Sequence, residues 1–180
     1  MCSLNRIVLI FVLFFLGGTS SGFPQTDNTP ESLLKEGRSI YKKAPEKAIE
    51  LAHQARAKGD TKQKALAGQL LLRAFERRGQ IDSAVYYGKE SITLAKSLDS
   101  AKQEAKFLEK LARLYRNTGE PAKALGLYGE ALEIFETLVD SSGIAFTENS
   151  IGISHKKMGN YAEAISHYNR SKAIRVLMGD

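Results

Sequence analysis

From residue 30 onward, apolar residues recur every three or four positions with polar residues between them, the period of helices that each bury one face. The stripe is plainest over 61–78, where Ala67, Leu70, Leu71, Ala74 and Phe75 follow an i, i+3, i+4, i+7, i+8 order. A first helix is predicted over 30–43. Thr29 is its N-cap, Pro30 takes the first helical position, and Leu33, Leu34, Gly37, Ile40 and Tyr41 share a side. A second starts at Pro45, turns Ala48, Leu51, Ala52 and Ala55 inward, and stops at Gly59. Further helices follow over 61–78, 82–98, 100–117, 121–138, 142–158 and 161–178. No stretch alternates as a strand would. The predicted class is all-α, and loops of two to five residues make neighbouring helices antiparallel.

The pattern also repeats at a fixed distance. Gly79, Gly119 and Gly159 lie forty residues apart, and so do Ala84, Ala124 and Ala164. The clearest unit contains Leu108, Leu111-Ala112, Tyr115, Gly119, Ala124, Tyr128 and Ala131. The last carries Ile151-Gly152, His155, Gly159, Tyr161, Ala164, Tyr168 and Ser171. An earlier one has Leu71, Phe75, Gly79 and Ala84, with Gly88 where an aromatic residue stands in its successors. The chain divides into hairpins at 31–59, 61–98, 100–138 and 142–180, the first of them degenerate because no glycine precedes Ala48 in register.

These residues resemble the tetratricopeptide repeat: a leucine, a Leu-Gly/Ala pair and a tyrosine in one helix, a turn glycine, then Ala, an aromatic and Ala in the next. The resemblance covers about 31–180, and its forty-residue period is similar to the longer variety in bacterial signalling proteins and transcription regulators. It implies a right-handed solenoid of helical hairpins, in which small residues at helix crossings let backbones approach. It also implies a concave groove lined by the first helix of each hairpin. By register, the groove positions are Gln69, Arg73, Glu76 and Arg77, then Lys106, Glu109, Arg113, Arg116 and Asn117, then Asn149, Ile153, Lys156 and Lys157. Arg73 and Arg113 lie one period apart, as do Arg116 and Lys156. Such columns suit an acidic peptide or a C-terminal carboxylate, because guanidinium groups bind carboxylates through paired hydrogen bonds. An ordinary solvated face is the competing reading. The arrangement does not reproduce the carboxylate clamp of chaperone-tail binders.

The N-terminus changes the picture of where this happens. Arg6 precedes an unbroken apolar run, 7–16, and small polar residues follow over 17–22, the order of a secretory signal peptide. The run is about half the ~20 residues of a spanning helix. The expectation is therefore a leader at 1–22 cleaved between 20 and 26, a linker at 23–30, and export to the periplasm or the extracellular space. An uncleaved membrane anchor is the alternative. The only cysteine, Cys2, falls inside the leader and ahead of the apolar run, so it is not a lipoprotein cysteine, and the mature chain has no thiol chemistry. The net charge of +6 favours an acidic protein, an anionic surface or nucleic acid as partner.

Catalytic patterns are missing. There is no G-x-S-x-G, phosphate loop or dinucleotide fingerprint. His155 occupies a core aromatic position, while His53 and His167 lack the i, i+4 partner of a helical metal pair. Glu130, Glu133 and Glu136 read as a solvated face. We expect no enzyme activity, cofactor or metal. The expected role is an exported scaffold that binds a protein or peptide. The sensory N-terminal segment of a longer membrane signalling protein, such as a histidine kinase or a repeat-linked regulator, is the alternative. Nucleic acid is disfavoured by the absence of a base-reading motif and by export. The last helix reads like an internal one, except that Lys172 and Arg175 replace Leu132 and Phe135. A longer array, or self-association through this helix, is expected.

Overall fold

The computed structural model describes residues 28–179, so the expected leader, its expected cleavage site and Cys2 lie outside the described residues. Eight helices follow one another: α1 Pro30–Ile40, α2 Pro45–Lys58, α3 Thr61–Arg77, α4 Ile81–Ser97, α5 Ala101–Asn117, α6 Pro121–Thr137, α7 Ser141–Lys157 and α8 Tyr161–Leu177. No strand occurs among the described residues. Boundaries fall within a residue or so of those predicted, with one exception. Helix α1 stops three residues early, because Pro45 forces Ala44 out of the helical region, to φ −136° and ψ 69°. The N–H groups of Lys43 and Ala44 then both turn back to the carbonyl of Ile40, at 2.8 Å.

Starts and stops have local causes. Thr29 accepts from the N–H of Ser32, and Asp60 with Gln63 forms a reciprocal capping box at α3. Asp140 accepts from the N–H of Gly143 at α7 and also pairs with Lys102 at 2.7 Å. Helices α3, α5 and α7 end in a left-handed glycine, Gly79, Gly119 and Gly159 at φ 72°, 90° and 82°. The turns after α4, α6 and α8 use the same conformation at Asp99, 47°, Val139, 52°, and Gly179, 75°, whereas Gly59 after α2 is extended at φ −88°. Paired turn bonds close both kinds of end. Gln80 N–H reaches the Phe75 carbonyl and Gly79 N–H the Glu76 carbonyl, and Asp140 and Val139 repeat this on Phe135 and Glu136.

Each helix packs on its chain neighbours. In addition, α1 touches α3, α3 touches α5 and α5 touches α7, while no even-numbered helix touches the next even-numbered one. The odd-numbered helices are therefore the inner, concave layer of a solenoid. Its core is continuous. Leu33, Leu51, Ala67 and Leu70 fill the first turn of the solenoid, then Leu72, Leu108, Leu111, Leu114 and Phe135, then Ala124, Tyr128 and Ile151. Gly88, which departs from the aromatic pattern, has a packing reason. A Cβ there would lie 2.7 Å from Leu72 Cδ1 and 3.1 Å from Leu111 Cδ1, so leucines occupy the space that an aromatic ring fills elsewhere. Gly152 makes room in the same way for the ring of Tyr168.

Candidate functional site

Tyr41 and Lys42 from the end of α1, Arg73, Glu76 and Arg77 from α3, and Arg113 and Asn117 from α5 surround one open cavity of about 620 Å³ on the concave face. The helical repeat brings them together. Residues 73 and 77 share a face of α3, 113 and 117 share the matching face of α5, and the inner helices lie side by side.

Within this cavity the charges are partly spoken for. Arg73 donates to the Tyr41 hydroxyl, and its guanidinium carbon lies 4.2 Å from the Tyr41 ring centre, a cation–π contact. Glu76 takes one bond from Arg113 Nη2 at 3.0 Å and another from Asn117 Nδ2 at 3.3 Å. Arg77 and Lys42 are exposed and form no ion pair with a described residue. One carboxylate thus faces three guanidinium groups and an ammonium.

Lys106 extends the basic surface along α5 and is exposed. Its neighbour on that face is Lys110, which the register argument passed over in favour of Glu109. Burial pulls the Lys110 ammonium below its ordinary pKa, Glu109 opposes this, and Arg113, Arg73 and Lys106 add to it. Three cations therefore sit within electrostatic reach of Lys110. The spacing of 106, 110, 113 and 117, each three or four residues apart, was the signal for Lys110.

Glu109 is a correction. It is 7% exposed rather than groove-facing, and its Oε1 accepts from Thr147 Oγ1 at 2.8 Å, across the α5–α7 contact. Burial pushes its carboxyl above the ordinary glutamate value, against the Thr147 hydrogen bond and the nearby Lys110 and Lys106. Nor does Arg116 form a surface column with Lys156. Its Nε and Nη1 are buried without hydrogen-bond partners and its guanidinium carbon lies 5.9 Å from the Tyr128 ring centre. Lys157 Nζ meanwhile donates to the Arg116 carbonyl at 3.0 Å. Gln69, Asn149 and Ile153 are half-buried and Lys156 is exposed.

Sequence reasoning missed a polar cluster in the last hairpin. Glu148 on α7 is fully buried, with His167 Nδ1 2.6 Å from its Oε2 and Arg170 Nη1 2.9 Å from its Oε1. The Arg170 contact is an ion pair without hydrogen-bond geometry. His155 stacks on His167 with ring centres 5.3 Å apart, so this core position holds a histidine pair. Register was the available signal, since Glu148 stands forty residues after the core Leu108. His53 lies apart, edge-on to Tyr87, and burial with Arg56 nearby lowers its pKa. Among the described residues no group of three His, Asp or Glu side chains is placed to share a metal ion.

Comparison with known proteins adds the following. Residues 103–175 match the family model described as tetratricopeptide repeat. No curated protein matches the sequence. The crystal structure of MamA superposes with a TM-score of 0.65 at 24% identity, covering 84% of this chain and 81% of that one. A crystal structure of nearly identical TPR-like repeats from Podosopora anserina gives 0.69 at 17%, covering 83% and 76%. Aspartyl phosphate phosphatase F from Bacillus subtilis gives 0.77 at 16%, covering 84% of this chain and 41% of its own. At these identities the likeness is one of fold.

Proposed function

Residues 103–175 of this chain are tetratricopeptide repeats, and from that premise we propose that the protein is a non-enzymatic scaffold whose concave groove binds an acidic segment of a protein or peptide. The supporting observation is the cavity where Arg73, Arg77, Arg113 and Lys42 outnumber Glu76. A ligand carboxylate brought there meets Arg77 and Lys42 without having to break an internal pair. The leader-like segment puts this binding outside the cytoplasm in our reading. Five of the cavity's lining residues sit on faces of α3 and α5, and Tyr41 and Lys42 are added from the turn after α1. Most of the groove is thus formed before the partner arrives, which lowers the ordering cost of binding.

Exposed charge pairs are each worth only ~0.2–1 kcal/mol, so the cations mainly speed encounter and set preference for acidic segments. Arg77→Glu reverses one charge in the cavity without disturbing the Arg113–Glu76 pair. Against a glutamate-rich peptide at low salt, stopped-flow association is expected to slow several-fold with dissociation little changed. The difference then shrinks as salt shortens the Debye length to about 8 Å at physiological ionic strength. Association that is equally fast in the variant at low salt would remove the acidic-ligand reading.

A further inference from the structure

A second, smaller cavity of about 230 Å³ lies between α3, α4 and α5, on the other side of Leu66 from the α1–α3 cleft. Ala65, Leu66, Ala95, Leu98 and Phe107 form its largely apolar wall. Lys62, Ser100 and Gln103 are its polar members, and Lys62, being exposed, marks the opening.

The repeat itself explains why the space is empty of side chains. Forty residues after Ala95 stands Phe135, and forty after Gln103 stands Gly143. In the downstream unit the Phe135 ring is 1% exposed and occupies the corresponding space, and Gly143 is what admits it. A Cβ at residue 143 would lie 2.4–2.7 Å from three atoms of that ring. In the upstream unit position 95 carries no ring, and Phe107, whose successor is Thr147, forms one wall of the space without filling it. Gln103 has gained a side chain, yet that side chain lines the cavity instead of filling it. The protein thus carries its own example of what fits: one phenyl ring, wedged between the C-terminal end of an outer helix and the first turn of the next inner helix. The volume agrees, since a dry apolar cavity of about 150 Å³ already binds benzene.

We propose that this cavity is a binding site for a single aromatic ring that carries an anionic group. The ring takes the place that Phe135 takes downstream, against Ala95, Leu98 and Phe107. The anion meets the Lys62 ammonium, with the Ser100 hydroxyl and the Gln103 amide as further donors. A free aryl carboxylic acid and a phenylalanine beside an acidic residue in a bound peptide share this chemistry. The proposal does not depend on what the concave groove binds.

Calorimetry and methyl NMR on the protein test it, with toluene and 3-phenylpropionate as probes. Both are expected to bind, shifting the methyl resonances of Leu66 and Leu98, and 3-phenylpropionate is expected to bind at least several-fold more tightly. Lys62→Gln removes that preference while leaving toluene unaffected. The double variant Ala95→Phe/Gln103→Gly transplants the downstream pair, so it is expected to melt no lower than the parent and to lose both probes by tenfold or more. A Phe-Glu peptide that outcompetes 3-phenylpropionate, and also fails on the double variant, identifies a partner side chain as the ligand. Equal or weaker peptide binding identifies a free acid. Absence of shifts with both probes at millimolar concentration overturns the proposal, and so does undiminished binding to a folded double variant.

Discussion

Glu109 and Lys110 differ by one position and by their whole environment. The forty-residue register placed 109 on the groove, but a rotation of about 100° separates adjacent residues on a helix, and here it carries residue 109 under the α5–α7 contact. Long side chains obscure such a boundary in the sequence, because a glutamate on either side of it fits a polar pattern. The buried carboxylate has a measurable consequence. Its pKa lies above the ordinary value of about 4.3, so the native state holds more protons than the unfolded chain in the window above that value. Stability due to this group is greatest below the window and is lost as pH rises through it. Glutamine keeps an oxygen to accept from Thr147 and does not ionise. Glu109→Gln is therefore expected to be the more stable protein at neutral pH, with the advantage vanishing towards pH 4. Denaturant midpoints of both proteins across that range check it. Asp140, whose pKa is lowered by Lys102, acts with the opposite sign in both proteins and raises the Glu109 pKa, so Asp140→Asn made in each background separates the two.

The helices were legible for a simple reason: glycine and proline mark their ends, and stripes of Ala and Leu mark their buried faces. The turns after the even-numbered helices were less so. Those after α4 and α6 need the same left-handed residue as the glycine turns but hold Asp99 and Val139. Nothing in a valine announces that conformation, since its branched Cβ crowds the backbone there. The surrounding helices impose it, through the paired bonds from Val139 and Asp140 back to α6. A left-handed non-glycine residue costs roughly 1–2 kcal/mol, and glycine's extra freedom in the unfolded chain returns part of that. Val139→Gly is expected to gain about 1 kcal/mol, or about 2–4 °C in melting temperature for a chain of this size. Calorimetric melting provides the measurement, and an unchanged or lower transition would mean that the turn carries no strain. Ion pairs between units, such as Arg113 with Glu76, were out of reach of the sequence. They depend on how far successive inner helices are offset.

On the scale of the molecule, the two outer helices α6 and α8 carry matching faces in unlike surroundings. Leu125 is half-buried and Tyr128 is 1% exposed, whereas their successors are Ile165, 58% exposed, and a half-buried Tyr168. Lys172 and Arg175 soften the face without removing its apolar part. We expect the protein to associate through α8 as concentration rises. Light scattering on the parent and on Ile165→Lys decides this, since the substitution is expected to restore the monomer, and equal masses at all concentrations would refute it. The interior behind that face is also unlike the rest. Where the preceding hairpin has Phe107, Leu108, Leu114 and Ala131, the last has Thr147, Glu148, Ser154 and Ser171, all buried. In a linear array each hairpin is held only by its own core and its neighbours, and hydroxyls and a carboxylate contribute less there than leucines do. Such a chain does not melt evenly. Its α7–α8 hairpin is expected to part from the array first, as a weak plank lifts from a deck, and each such opening lays bare the Phe135 and Tyr128 surface of α6 for as long as that hairpin is away.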